Sequence, residues 1–352
     1  MSAPLTPRAA VKAMAAYSPP TAGREGKLRL DFNENTVGCS PAIAEFLRRE
    51  ISEPQLATYP EYVETKAELA RHFAVEEGEM LLSNGTDEAI QVLMNTYVDH
   101  GDEVIILEPS YAMYRFYAEL AGATIRPLAY RAETLAFPLE ELLGGVTDKT
   151  RAILLSNPNN PTGTAIDSQT VERILQAAPR AAVLIDEAYF EFYGVTALPL
   201  LQHYPNLIVS RTFSKAYGMA AMRVGCLFSD ARNIAFLRKA QSPYSVNMLA
   251  ACAARAAIRQ ADSVAAYVTE VLAARDWFGA QLDRLGIPYH PSAANFLLLE
   301  LGARAAEVCD RLRDVGVLVR DRGHELPGCV RITVGTREQM TRLVSELEKL
   351  WT

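Results

Sequence analysis

From residue 79 to residue 215 two hydrophobic patterns alternate along the chain. Short continuous apolar runs ("MLLS", "VIILE", "AILLS", "AVLID", "LIVS") each lead into a polar turn. Several are followed by apolar residues at helical period, as in "DEAIQVLMNTYV", "AMYRFYAEL" and "SQTVERILQAA". A continuous apolar run predicts a strand buried on both faces, and strands separated by helices predict a mostly parallel sheet with both faces covered. Upstream, "PAIAEFLRREI" and "YVETKAELARHFA" have helical spacing, and "LRLDFNEN" is a short strand ending in polar residues. Downstream, the pattern predicts one long helix over about 247–285. Mixed short strands and helices follow, ending in the helix "REQMTRLVSELEKLW".

The fold class expected is therefore α/β, with a mostly parallel sheet in a large domain and a smaller α+β domain after it. The division expected is an arm over 1–30, a large domain over 31–245 and a small domain over 246–352, with 31–45 able to pack with the small domain.

What stands just past each strand is polar: Tyr111, Asn157, Asp186 with Tyr189, and Lys215. In an open α/β sheet the ligand crevice lies beyond the carboxyl ends of the strands, so these groups should meet. A lysine amine attacks an aldehyde only when deprotonated, and an apolar or cationic pocket lowers its pKa. A carboxylate ending a buried strand needs a cation or hydrogen-bond donors. Arg223, the hydroxyls around Lys215 and the Gly85-Thr86-Asp87 turn opening a helix suit a phosphate. Aldehyde, ring cation and phosphate together describe pyridoxal 5′-phosphate.

The chain also resembles the fold-type I pyridoxal-phosphate aminotransferases of class I/II, most closely the histidinol-phosphate aminotransferases. "NEN", "TYP", "SNGTDEAI", "PSYAMY", "NPNNPTG", "IDEAYFEF", "RTFSKAYG" with "MRVG", "ANF", "VRD" and "RITVGTRE" occur in that family's order. The resemblance implies that Lys215 binds the cofactor aldehyde and shuttles the substrate proton, and that Asp186 pairs with the ring nitrogen. It implies that Tyr189 and Asn157 bond the ring hydroxyl oxygen and that Tyr111 stacks on the ring. Gly85, Thr86, Thr212, Ser214 and Arg223 would form the phosphate cup, with Asp87 capping or orienting the turn. Tyr59 would reach the phosphate from a neighbouring subunit, making a homodimer. Arg331 would hold the substrate carboxylate or part of its phosphate, with Arg320 and Tyr17 on the distal phosphate. One departure is Ala221, where the family usually has glycine two residues before the phosphate arginine.

The implied reaction moves an amino group from histidinol phosphate to 2-oxoglutarate. The alternatives are an aromatic amino acid aminotransferase and a decarboxylase of a phosphorylated amino acid. Several motif residues have plainer readings. Arg331 alternates with Val330 and Ile332, as an exposed strand arginine would. Tyr114 and Tyr117 follow Tyr111 at helical spacing and fit packing, while Asn159 and Asn160 fit turn formers.

Composition narrows the rest. With 49% apolar and 22% charged residues the 352-residue chain is globular. A net charge of −7 argues against a nucleic-acid partner. No apolar run reaches membrane-spanning length, and "MSAPLTPRAAVKAM" lacks the apolar core of a secretion signal. Five scattered cysteines without a CxxC pair predict free thiols in a cytoplasm and no metal site.

Overall fold

The structure is a computed structural model and describes residues 5–16 and 21–351. In chain order the strands are β1 (Leu28–Arg29), β2 (Met80–Ser83), β3 (Glu103–Glu108), β4 (Thr124–Ala129), β5 (Thr150–Ser156), β6 (Ala182–Asp186) and β7 (Leu207–Thr212). They continue as β8 (Gly225–Ser229), β9 (Tyr289–His290), β10 (Phe296–Glu300), β11 (Val317–Leu318), β12 (Arg320–Asp321) and β13 (Cys329–Thr333).

Seven strands form the large sheet in the order β2-β8-β7-β6-β5-β3-β4. The pairs among β4, β3, β5, β6 and β7 are parallel, and β8 runs antiparallel to both its neighbours. Two apolar clusters, one holding Ile153, Val183 and Val209 and the other Leu154, Leu184 and Ile208, bury its two faces. That two-sided burial is why β5, β6 and β7 read as continuous apolar runs. β4 is an edge strand whose Pro127 withholds one backbone donor, the position where a strand tolerates proline.

The small sheet has the order β12-β13-β10-β9. One face carries Leu297, Leu299, Val330 and Ile332 into a third cluster with the helices Ala261–Leu285 and Arg337–Trp351. The other face, with Leu298 and Cys329, joins the core of the large sheet. β1 pairs in parallel with β11 as a separate two-stranded sheet, and Leu30, just past β1, is buried in the third cluster. The arm is not wholly extended, since Ala9–Ala13 forms a short helix.

The single helix expected over 247–285 is two, Met248–Ile258 and Ala261–Leu285, broken at Arg259 and Gln260. The first packs Ala250, Ala253, Ala254 and Ala257 into the cluster of the large sheet, while the second turns to the small one. Arg255 and Arg259 both clamp Glu68, at 2.9 and 2.8 Å, which fixes the break. No helix among the described residues is long and apolar enough to cross a membrane.

Candidate active site

The carboxyl ends of the parallel strands open onto a cavity of about 490 Å³. Asp186, the last residue of β6, is buried there at 2% exposure. Its two oxygens accept from different elements: Oδ2 from Tyr114 Oη at 2.9 Å, and Oδ1 from Ser210 Oγ at 2.8 Å. Burial still dominates and lifts the Asp186 carboxyl to about 6, against the two hydroxyls that favour its anion. Two hydroxyls hold this anion, and no cation pairs with it among the described residues.

Lys215 follows β7 into the same cavity. Burial, with the positive charges of Arg331 and Arg223, pushes its amine down to about 8. Its Nζ donates to Phe32 O at 3.0 Å. Phe32 lies in the "DFNEN" segment, which is laced across the site. Asn33 Nδ2 donates to Tyr189 Oη at 2.9 Å, Asn35 Nδ2 to Ala216 O at 3.0 Å, and Arg331 Nη2 to Asp31 O at 2.5 Å. Asn33 adopts a left-handed φ of 55°, a conformation that asparagine tolerates better than most side chains.

Gly85 opens the helix Gly85–Tyr97 with a φ of +73°, and a Cβ there would stand 2.5 Å from Arg223 Nη2. Gly225, across the sheet edge, leaves no more room: a Cβ would meet Arg211 O at 2.8 Å. The two glycines bring Arg223, Thr86 and the hydroxyls of Thr212 and Ser214 to one end of the cavity. Thr212 Oγ1 donates to Ser214 Oγ at 3.0 Å. Asp87 orients side chains and caps nothing: it accepts Tyr111 Oη at 2.7 Å and pairs with Arg223 at 3.1 Å. The helix start is closed by Glu88, which accepts from Asn84 N at 2.6 Å.

At the opposite end stand Arg320, Arg322 and Arg331. β13 is buried along its length, so Arg331 is no exposed strand arginine; it is 4% exposed. Its other bond goes to Asn160 Oδ1, and burial pushes its guanidinium down to about 10, aided by Arg322 and Arg320.

The sequence profile described as Aminotransferase class I and II matches residues 25–347. This chain belongs to the class I and II aminotransferases. A histidinol-phosphate aminotransferase of Symbiobacterium thermophilum is 37% identical to the chain, over 93% of it and 91% of the relative. One from Geobacillus sp. (strain WCH70) is 34% identical, over 92% and 90%. Among solved structures, the histidinol-phosphate aminotransferase of Sinorhizobium meliloti in complex with pyridoxal-5′-phosphate superposes with a TM-score of 0.90 at 24% identity, covering 99% of this chain and 98% of that one. The architecture is thus that of the fold-type I enzymes.

Not every residue expected at the site of this aminotransferase reaches the cavity. Asn157 turns its amide to Ile166, donating to Ile166 O at 3.0 Å and accepting from Ile166 N at 2.9 Å. Those two bonds leave one amide N–H uncommitted. Tyr59 is 73% exposed and stacks on Tyr244 with ring centres 4.4 Å apart, away from the cavity of its own chain. Tyr17 lies outside the described residues. Ala221 sits exposed beside the cavity in the helical turn Ala220–Met222, with none of the positive φ that would require glycine.

Several polar residues of the site escaped the reading from sequence, Arg322 among them. Tyr114 was assigned to packing, yet its hydroxyl holds Asp186. The signal was its place three residues after Tyr111 on one helix face, above a buried carboxylate that needs donors. Ser210 sits opposite Asp186 in the β6–β7 register, which sequence alone does not reveal. Asn33 and Asn160, read as strand-end polarity and turn former, hold Tyr189 and Arg331.

Proposed function

We propose that this aminotransferase is a pyridoxal-phosphate enzyme, acting as a homodimer on L-histidinol phosphate and 2-oxoglutarate in histidine biosynthesis, in the cytoplasm. The observation that carries the reading is a depressed lysine amine and a buried carboxylate, both at one cavity. Asp186 is an anion awaiting a cation, and Lys215 an amine kept partly neutral near pH 8. Gly85 supplies a cradle that a side chain would fill. This donor set fits a protonated ring nitrogen, an aldehyde and a phosphate.

Bound there, the cofactor supplies an aldehyde that takes the donor's amine and a cationic ring that draws electrons from the carbon losing its proton. Asp186 favours the protonated ring nitrogen. Lys215 Nζ takes the proton from the donor carbon and returns it, which its lowered pKa permits at neutral pH. Tyr111 offers a ring face, fixed by its bond to Asp87, and Tyr189 a phenol fixed by Asn33. Asn157 has one amide N–H left for the ring hydroxyl oxygen. Thr86, Thr212, Ser214, Arg223 and the backbone at Gly85 would hold the phosphate.

Arg331 would take a carboxylate, or with histidinol phosphate part of its phosphate, and Arg320 and Tyr17 the distal phosphate. Tyr59 would serve the partner's site. Leu56, Tyr59, Val63 and Tyr244, each more than half exposed, form an apolar surface in keeping with a subunit contact.

The test is a donor panel with 2-oxoglutarate: histidinol phosphate, phenylalanine, tyrosine and phosphothreonine. Rapid glutamate formation from histidinol phosphate is the expected result. Preference for phenylalanine or tyrosine would replace the donor, and carbon dioxide from phosphothreonine without an acceptor would replace the reaction. Borohydride reduction of the yellow holoenzyme should fix the cofactor to Lys215, and a label on Lys239 or Lys149 would overturn the site.

A further inference from the structure

Arg320 and Arg331 are direct partners across the β12–β13 ladder, so their side chains share a face. The chain stays extended past β12, with Arg322 N donating to Cys329 O at 2.9 Å. Two residues beyond Arg320, Arg322 returns to the same face and lines the same cavity at 7% exposure. Three guanidinium groups therefore meet at one end of the site. Among the described residues Arg331 bonds only neutral acceptors there, Asn160 Oδ1 and Asp31 O. Among the described residues Arg320 has no carboxylate in ion-pair reach and lies over the Phe32 ring at 5.5 Å. Arg322 pairs with Glu325. That pair is held on one tight turn, where Glu325 N and Leu326 N donate to Arg322 O at 2.9 and 2.8 Å. Among the described residues these three guanidinium groups have one carboxylate, Glu325, in ion-pair reach, so positive charge is in surplus there.

We propose that Arg322 is a specificity-determining residue that binds the dianionic end of the amino donor, and that Glu325 competes with that dianion for it. The inference rests on the phosphate-donor reading above and extends it to a residue outside the motifs. A phosphate monoester and a dicarboxylate each carry about two negative charges at neutral pH. Both half-reactions of the proposed exchange therefore match the surplus. An aromatic amino acid, with its single carboxylate, does not.

Arg322→Gln and Glu325→Gln break the same ion pair, and this separates binding from architecture. The holoenzymes are compared for kcat/KM with histidinol phosphate, and for competitive inhibition by inorganic phosphate against whichever donor the wild type uses. Arg322→Gln should lower kcat/KM about 10- to 100-fold, mainly through KM, and weaken phosphate inhibition. Glu325→Gln should instead tighten phosphate and lower KM by about 2- to 5-fold, having removed a rival anion. If both variants weaken phosphate alike, or Arg322→Gln leaves it within about threefold, the pair is structural and the proposal fails. If the wild type ignores histidinol phosphate, the donor reading fails, and the opposite shifts in phosphate inhibition still decide the role of Arg322.

Discussion

Asp186→Asn should make the cofactor-free protein more stable while nearly abolishing its activity. The folded protein lifts this carboxyl from an ordinary 3.8 to about 6. Between those values the folded state binds more protons than the unfolded chain, so stability falls as pH rises through the window and stays low above it. A gap of about two pH units corresponds to about 3 kcal/mol of destabilisation at pH 8, with roughly half present at pH 5. Asparagine keeps the volume and has no charge to desolvate. Its carbonyl oxygen accepts from one hydroxyl, and its amide donates to the other after that hydroxyl rotates. The gain should be about 1–3 kcal/mol at pH 8, after imperfect rebonding, and should shrink by about half at pH 5. Urea unfolding of the two cofactor-free proteins at both pH values measures it. In the loaded enzyme the same substitution should slow turnover at least about 100-fold, because the ring nitrogen loses its anion. The reasoning is refuted if the variant is no more stable at pH 8, or if its advantage is the same at pH 5.

Tyr114→Phe removes one donor from Asp186, so it should raise that carboxyl further and destabilise the cofactor-free protein by about 1.5–3 kcal/mol at pH 8, with a smaller loss at pH 5; a pH-independent loss in urea would reduce Tyr114 to packing. Asn33→Ala breaks the tie to Tyr189 and places a less tolerant side chain at positive φ, for an expected loss of about 2–4 kcal/mol, whereas Asn33→Gly should restore the backbone part only. Comparing the two melts separates strain from hydrogen bonding, and equal losses would remove the strain argument. Mixing Tyr59→Phe subunits with Lys215→Ala subunits should give hybrids that outperform the Tyr59→Phe homodimer per active lysine; strictly additive activity would place Tyr59 outside the partner's site.

The legible parts of this fold are those where burial is two-sided and local. β3, β5, β6 and β7 announce themselves as apolar runs, and their ends fixed where Asp186 and Lys215 would stand. β4 was missed because its Arg126 and Pro127 interrupt any apolar run at a sheet edge. β8 was missed because it directly follows the chemically dense Lys215 segment and turns back antiparallel. The break at Arg259 carries neither glycine nor proline; it is set by Glu68, nearly two hundred residues earlier. The hidden half of the site is of the same kind. Ser210 meets Asp186 through strand register, Asn160 meets Arg331 across two sheets, and Tyr114 reaches down from a helix whose rotation only packing decides.

The Lys215 segment is pinned at both ends to neighbouring strands, since Thr212 of β7 faces Gly225 of β8. Lys215 and Arg223 are therefore held as one body between β7 and β8 of the large sheet. Arg320 and Arg331 lie on the adjoining strands β12 and β13 of another sheet, with Arg322 just past the end of β12. On the proposed roles, changes at the small-sheet turn would alter what is accepted without disturbing the residues that would hold the cofactor, and a lineage would change its diet while keeping its chemistry. The same separation gives an engineer a short, bounded library: the turn between β12 and β13.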